Sequence, residues 1–153
     1  MYAARYWLFQ FNPKVYLWFE RMLDTGGNKP EQWLAHRYSE YMKKGDFVAI
    51  RASGKDAGIY ALGQLITSAV DKVLDKSDLK YWIKEEAANK FLYNRSVLVE
   101  YYKNLSTKPI LDVEYEKDEV LKDLKTLTRQ QATNFQIKSE QWQRIVELAS
   151  IKV

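Results

Sequence analysis

The sequence predicts an α+β fold: a curved, mostly antiparallel sheet closing toward a barrel, with helices packed around it. Three observations lead there. Runs such as Phe47-Val48-Ala49-Ile50 and Ile59-Tyr60-Ala61-Leu62 are apolar on both faces, as strands of a curling sheet must be. Stripes at helical spacing alternate with them along the chain. Neither a repeat, a low-complexity tract nor a linker interrupts the 153 residues, so residues 1–153 read as a single domain.

Each element has its own signal. Residues 6–11, Tyr-Trp-Leu-Phe-Gln-Phe, read as a strand that Pro13 ends, because proline cannot donate to a ladder. Pro13 then opens a helix whose buried stripe is Val15, Trp18, Phe19, Met22 and Leu23, stopped by Thr25-Gly26-Gly27-Asn28. Pro30 starts a second helix running to Lys43, with Leu34, Tyr38, Tyr41 and Met42 as its apolar stripe. Gly45-Asp46 turns into strands over 47–51 and 58–68. Leu79, Trp82, Ile83 and Ala87 mark a short helix or ordered loop, and residues 97–102 and 109–115 read as strands. Val120, Leu121, Leu124 and Leu127 form an amphipathic helix. Ser139 is the expected N-cap of a last helix that buries Trp142, Ile145, Val146 and Ala149.

Composition narrows the function. There is no Cys, so disulfides and thiolate metal sites are excluded, and a cytoplasmic setting is expected. No apolar run reaches the length of a membrane span, and residues 1–5 lack the basic-then-apolar order of a secretory signal, so no membrane partner is expected. The net charge of +4 permits nucleic-acid binding without demanding it. That charge is uneven: residues 1–64 hold nine Lys/Arg against six Asp/Glu, whereas the stretch 112–123 is acidic and reads as a solvated face. A nucleic acid is therefore expected on the side built by the first third.

Catalysis has little to stand on. The single histidine, His36, excludes a histidine pair for metal, and no Gly-x-Ser-x-Gly elbow supplies a nucleophile for it. Ala49 stands where a phosphate-binding loop before Gly54-Lys55 would need its first glycine, and Asp56 follows. The expectation is a non-enzymatic binding module with no cofactor.

Three pieces in order carry a family resemblance. The aromatic opening strand runs into Asn12-Pro13; Trp33, with Arg37 nearby, precedes Gly45-Asp46; and strands joined by Ala52-Ser53-Gly54 lead to Gly58-Ile59. Together with the C-terminal Thr133-Asn134-Phe135-Gln136-Ile137, Trp142 and Ile145, these resemble the EVE domain of the PUA-like superfamily, related to the YTH and ASCH domains. The family's Trp-Asp-Gly-Val-Arg-Asn run is missing, replaced here by Glu31-Gln32-Trp33-Leu34-Ala35-His36-Arg37. The resemblance implies a PUA-like barrel that recognises a methylated base. DNA is favoured, in the manner of the N-terminal module of an McrB-type restriction protein with an AAA+ motor domain elsewhere. The alternative is an RNA-binding PUA-like domain that reads tRNA, rRNA or methylated RNA.

Reading a modified base requires enclosing its edge and its methyl group, so a duplex must extrude it. Extrusion costs a few kcal/mol and each base–aromatic stack returns about 1–3 kcal/mol. Trp33, Asn12, Ser53 and Gly54, with Tyr81 or Trp82 from the later loop, are the candidate base pocket. His36, Arg37, Arg51 and Lys55 are the candidate contacts to the nucleic-acid backbone. Trp7, Trp18 and Trp142 are assigned to the core, whereas Trp33 is expected to stand outside the main apolar stripe.

Overall fold

The computed structural model describes residues 3–71, 76–92, 94–130 and 132–152. Among them are strands β1 (Tyr6–Phe11), β2 (Glu31–Leu34), β3 (Phe47–Ala52), β4 (Gly58–Leu65), β5 (Ser96–Asn104), β6 (Ile110–Leu111) and β7 (Asn134–Ile137). The helices are α1 (Trp18–Thr25), α2 (Glu85–Leu92), α3 (Asp112–Tyr115), α4 (Leu124–Thr128) and α5 (Ser139–Ile151). One sheet runs β2-β5-β4-β3-β1-β7, with β6 beside the start of β4. Every pairing is antiparallel except that of β1 with β3. The expected curled, mostly antiparallel α+β architecture is the one observed.

The two-faced apolar strands have a direct cause: the sheet carries a core on each side. Trp7, Phe9 and Phe11 of β1 enter one, with Trp18, Met22, Trp33, Val48 and Ile50. Leu8 between them faces the other, where Ala49, Ile59, Leu62 and Phe135 meet Trp142, Ile145 and Ala149 of α5. The core assignments of Trp7, Trp18 and Trp142 agree with their burial.

Several elements differ from the sequence reading. Residues 30–43 do not form a helix. Glu31–Leu34 pair instead with β5, Trp33 opposite Val97, and Tyr38 adopts a left-handed backbone with φ of 60°, which no helix interior tolerates. Pro30, lacking an N–H, precedes the strand as readily as a helix. The first helix begins at Trp18 rather than Pro13, because residues 12–16 form a turn, and Leu23 of its expected stripe is 84% exposed. The strand over 109–115 is reduced to Ile110–Leu111, after which Asp112–Tyr115 turn helical. The helix containing Leu124 and Leu127 starts only at Leu124. Lys138 occupies the N-cap of α5, its N–H donating to Gln141 Oε1 at 2.8 Å, and Val146 on that helix is exposed. The acidic stretch is not one solvated face either: Asp112 pairs with Arg51 and Asp118 with Arg144.

The barrel has a seam between its edge strands β2 and β7, which share no strand pairing. Side chains bridge it instead, Arg37 to Gln130 at its rim and Asn134 at its centre. The buried amide of Asn134 donates from Nδ2 to Leu34 O at 2.9 Å and accepts the His36 N–H on Oδ1 at 2.8 Å.

Candidate functional site

At the end of β1 the chain makes a tight turn. Asn12 O accepts the N–H groups of Val15 and Tyr16 at 2.9 and 3.0 Å, and Asn12 Oδ1 accepts that of Lys14 at 2.9 Å. Asparagine suits this place because its short amide substitutes for a backbone acceptor. The chain leaving the turn meets residues 81–83 in an isolated antiparallel bridge, with Leu17 N–H donating to Tyr81 O at 2.8 Å and Ile83 N–H to Val15 O at 2.9 Å. That bridge brings the rings of Tyr16 and Trp82 to 4.5 Å, with Phe91 of α2 behind Trp82 at 5.4 Å.

These residues form one wall of a cleft of about 980 Å³, which opens beside the seam. Phe11, Tyr16, Trp33, Trp82 and Phe91 supply ring surface; Gln10, Asn12, Ser53, Thr128, Gln130 and Thr133 supply polar groups. The volume lies at the upper end of the range of small-ligand clefts, about 300–1,000 Å³. Arg37, Lys90 and Arg129 line it together with His36, and no Asp or Glu does so among the described residues. Arg37 is held in place, donating to Gln130 Oε1 at 2.9 Å and to Tyr38 OH at 2.8 Å with its guanidinium over the Tyr38 ring.

Of the residues singled out from the sequence, Asn12, Trp33, His36, Arg37, Ser53 and Trp82 border this one cleft. Trp33 differs from expectation in its burial: it lies on a strand, 5% exposed, packed among Phe9, Phe11 and Tyr16, and is both core residue and cleft wall. Tyr81 is buried away from the cleft, donating its hydroxyl to Asp24 at 2.7 Å, so Trp82 is the aromatic that the later loop contributes. Gly54 and Lys55 sit in the exposed β3–β4 loop outside the cleft lining. Arg51 is not a surface cation. It is buried against Asp112, donates to Tyr115 OH at 3.2 Å, and through Nη1 holds Gln10, a cleft residue.

The sequence reading missed what lies beneath the floor. Glu31 is fully buried, and its carboxylate collects donors from the aromatic residues around it. Tyr16 OH reaches Oε2 at 2.5 Å; Trp18 Nε1 and Trp33 Nε1 reach Oε1 at 3.1 and 3.2 Å, and Tyr101 OH donates to the same oxygen. Arg21, also fully buried, stands 3.7 Å from Glu31 and is bound to Asp78 at 3.0 Å. Burial raises the Glu31 carboxyl above its usual range, against the opposing pull of Arg21 and the two tyrosine hydroxyls. Burial and the neighbouring carboxylate push the Tyr16 and Tyr101 hydroxyls up as well, so both remain protonated donors.

A curled sheet of this topology with a cleft at its seam is the PUA-like architecture. Solved structures bear that out: a hypothetical protein from Leishmania major (TM-score 0.68, 18% identity, 98% of this chain and 97% of that one) and a mutant ASCH protein from Zymomonas mobilis (0.57, 11%, 95% and 99%) share the fold. So does human THYN1, solved in complex with DNA containing 5-methylcytosine (0.64, 17%, 95% and 98%). Within that architecture the chain belongs to the EVE domain family, which it matches over residues 5–148. No curated protein matches the sequence.

Proposed function

We propose that this domain binds nucleic acid carrying a methylated base, DNA in the first place, and takes the extruded base into the cleft at the barrel seam. The observation that carries the reading is the pairing of an aromatic wall with a rim of Arg37, Lys90 and Arg129 and, among the described residues, no carboxylate. Rings accept a flat, weakly polar guest by stacking, and the rim cations attract phosphates. Tyr16, Trp33 and Trp82 face a space large enough for a nucleoside, and two stacks at about 1–3 kcal/mol each offset the few kcal/mol that extrusion costs. For the base edge, Asn12 keeps its amide N–H groups and Ser53 its hydroxyl lone pairs, and Trp82 Nε1 is a buried donor with no partner among the described residues. The THYN1 complex adds a precedent for methylated DNA within the fold.

The domain would act by binding rather than catalysis. As the recognition part of a modification-dependent restriction system, it would work beside an AAA+ motor domain. Co-purification of the full-length protein with such a motor tests that part separately.

The central test is a fluorescence-anisotropy titration against matched oligonucleotides: DNA with 5-methylcytosine, the same DNA unmodified, and RNA of the same sequence. Binding to methylated DNA at least about tenfold tighter than to the other two is expected, the worth of roughly one stack. Equal affinity for methylated and unmodified DNA would overturn the base-reading proposal, and preference for RNA would transfer it to the 2′-hydroxyl polymer.

A further inference from the structure

We propose that Glu31 is a positioning residue for the cleft: its sealed carboxylate fixes the rings of Tyr16 and Trp33 in the pose that meets the guest. The ligand readout below rests on the proposed function; the spectroscopic one does not.

The carboxylate lies under the floor, not in the cleft, and two of the residues that bind it are cleft walls. Tyr16 OH and Trp33 Nε1 both turn inward to Glu31, so the rings stand 6.4 Å apart at 66°. Tyr16 in turn backs Trp82 at 4.5 Å, which extends the control of one carboxylate to a third wall. Trp18 and Tyr101 complete the acceptor's shell from outside the cleft.

Stability alone is a poor reason for such an arrangement. Two buried carboxylates, Glu31 and Asp78, share the single guanidinium of Arg21, and well-packed apolar residues commonly replace buried ion pairs at no loss. What an apolar filling cannot do is aim the polar tips of four aromatic side chains at one point. The arrangement also narrows what the cleft reads. The polar ends of Tyr16 and Trp33 are consumed beneath the floor, so these residues offer the guest stacking surface only. Discrimination by hydrogen bonding falls to Asn12, Ser53 and Trp82.

The test uses Glu31→Gln, which turns one acceptor oxygen into a donor and leaves Arg21 paired with Asp78. It also uses Tyr101→Phe, which substitutes no cleft-lining residue but removes one donor to Glu31 together with the hydroxyl oxygen that accepts the Trp33 N–H at 2.8 Å. Ile145→Val, in the core on the opposite face of the sheet, is the control for destabilisation without repositioning. In the free proteins, ¹⁵N-indole NMR should show the Trp18 and Trp33 N–H resonances displaced in both variants. The Trp7 resonance, whose N–H is held by Asp46 at 2.9 Å, should stay in place. Affinity for 5-methylcytosine DNA should fall about tenfold in each, the worth of one misaligned stack, with binding to unmodified duplex and its salt dependence unchanged.

Indole resonances that stay in place in Tyr101→Phe, or an affinity loss no greater than that of Ile145→Val, would overturn the proposal. If Glu31→Gln does not fold, the affinity of Tyr101→Phe measured against that of Ile145→Val decides, because loss of the Tyr101 hydroxyl displaces the Trp33 resonance directly. If the wild-type protein shows no preference for the methylated oligonucleotide, the base-reading proposal fails, and the indole resonances still decide the role of Glu31.

Discussion

Trp33 shows how one side chain serves two ends. Its ring is enclosed by Phe9, Phe11 and Tyr16, its N–H is held by Glu31 and Tyr101, and its remaining edge faces the cleft. Trp33→Ala is therefore expected to cost about 3–5 kcal/mol in urea unfolding, comparable with Trp142→Ala, because both leave a cavity in a packed core. Affinity loss in that variant cannot be read without correcting for the folded fraction. Asp118 offers a cleaner titration. Burial pushes its carboxyl up, but the Arg144 guanidinium at 2.7 Å and the Val120 and Leu121 N–H groups outweigh that and hold it below the usual carboxylate range. A depressed folded-state pKa contributes stability that is fully present above the unfolded value of about 4 and vanishes as pH falls through the folded value. The wild type should exceed Asp118→Asn in denaturant midpoint by a constant margin above about pH 5, and the two should converge toward pH 2. A margin independent of pH would exclude this linkage. At this scale the sequence pointed to Asn12, Ser53, Trp82, His36 and Arg37 because turn, loop and aromatic-basic signals are local. Glu31 and Tyr101 were invisible: an acid and a tyrosine 70 residues apart announce nothing until the sheet brings them together. Arg51 misled for the same reason, since its partner Asp112 lies 61 residues on.

Among the elements, β1, β3, β4 and β5 were legible from their apolar runs, and β2 was not. Leu34, Tyr38, Tyr41 and Met42 happen to fall at helical spacing, while the signal that decided the outcome, Trp33 opposite Val97 on β5, is non-local. The tertiary partner overrode the local period. Strand β4 carries a constraint of a different kind. At Gly63, beside an irregularity in the β4–β5 register, an added Cβ would meet Glu100 O at 2.7 Å and Val99 Cγ1 at 2.9 Å. Backbone of the neighbouring strand cannot yield as a side-chain tip can, so Gly63→Ala should destabilise by about 1–3 kcal/mol. Thermal unfolding measures it; a neutral result would mean that β5 shifts freely.

For the whole molecule, charge and connectivity set behaviour. The protein carries +4 overall, with Arg37, Lys90 and Arg129 gathered at the cleft. Binding to nucleic acid should weaken with salt along a shallow slope, equivalent to about 3 phosphates. Charge reversal of Lys122 and Lys125, which pair with Glu119 and Glu116 away from the cleft, should leave the slope unchanged. Equal sensitivity at both places would contradict the proposed orientation. Connectivity bears on folding. Strand β1 is flanked by β3 and β7, so Tyr6 finds one of its partners at Ile137. Sheets built on such distant pairs fold slowly, on the millisecond-to-second scale, and stopped-flow refolding is expected to fall there.

The seam between β2 and β7 is latched by side chains rather than laddered by backbone. A backbone ladder would close the barrel with a row of cooperative bonds, and opening it would mean unfolding a strand. Here side chains close it, Asn134 with bonds to Leu34 and His36 and Arg37 with a bond to Gln130, so this edge can part while the sheet stays whole. Openings of so few contacts sit at the low end of the range of local free energies. The His36 amide is the natural reporter: its hydrogen exchange should run well ahead of that of the β3 and β4 amides. In Asn134→Ala that exchange should quicken further while global stability changes far less. A cleft set beside such a latch could widen to admit a guest larger than its resting outline and close once the guest is seated.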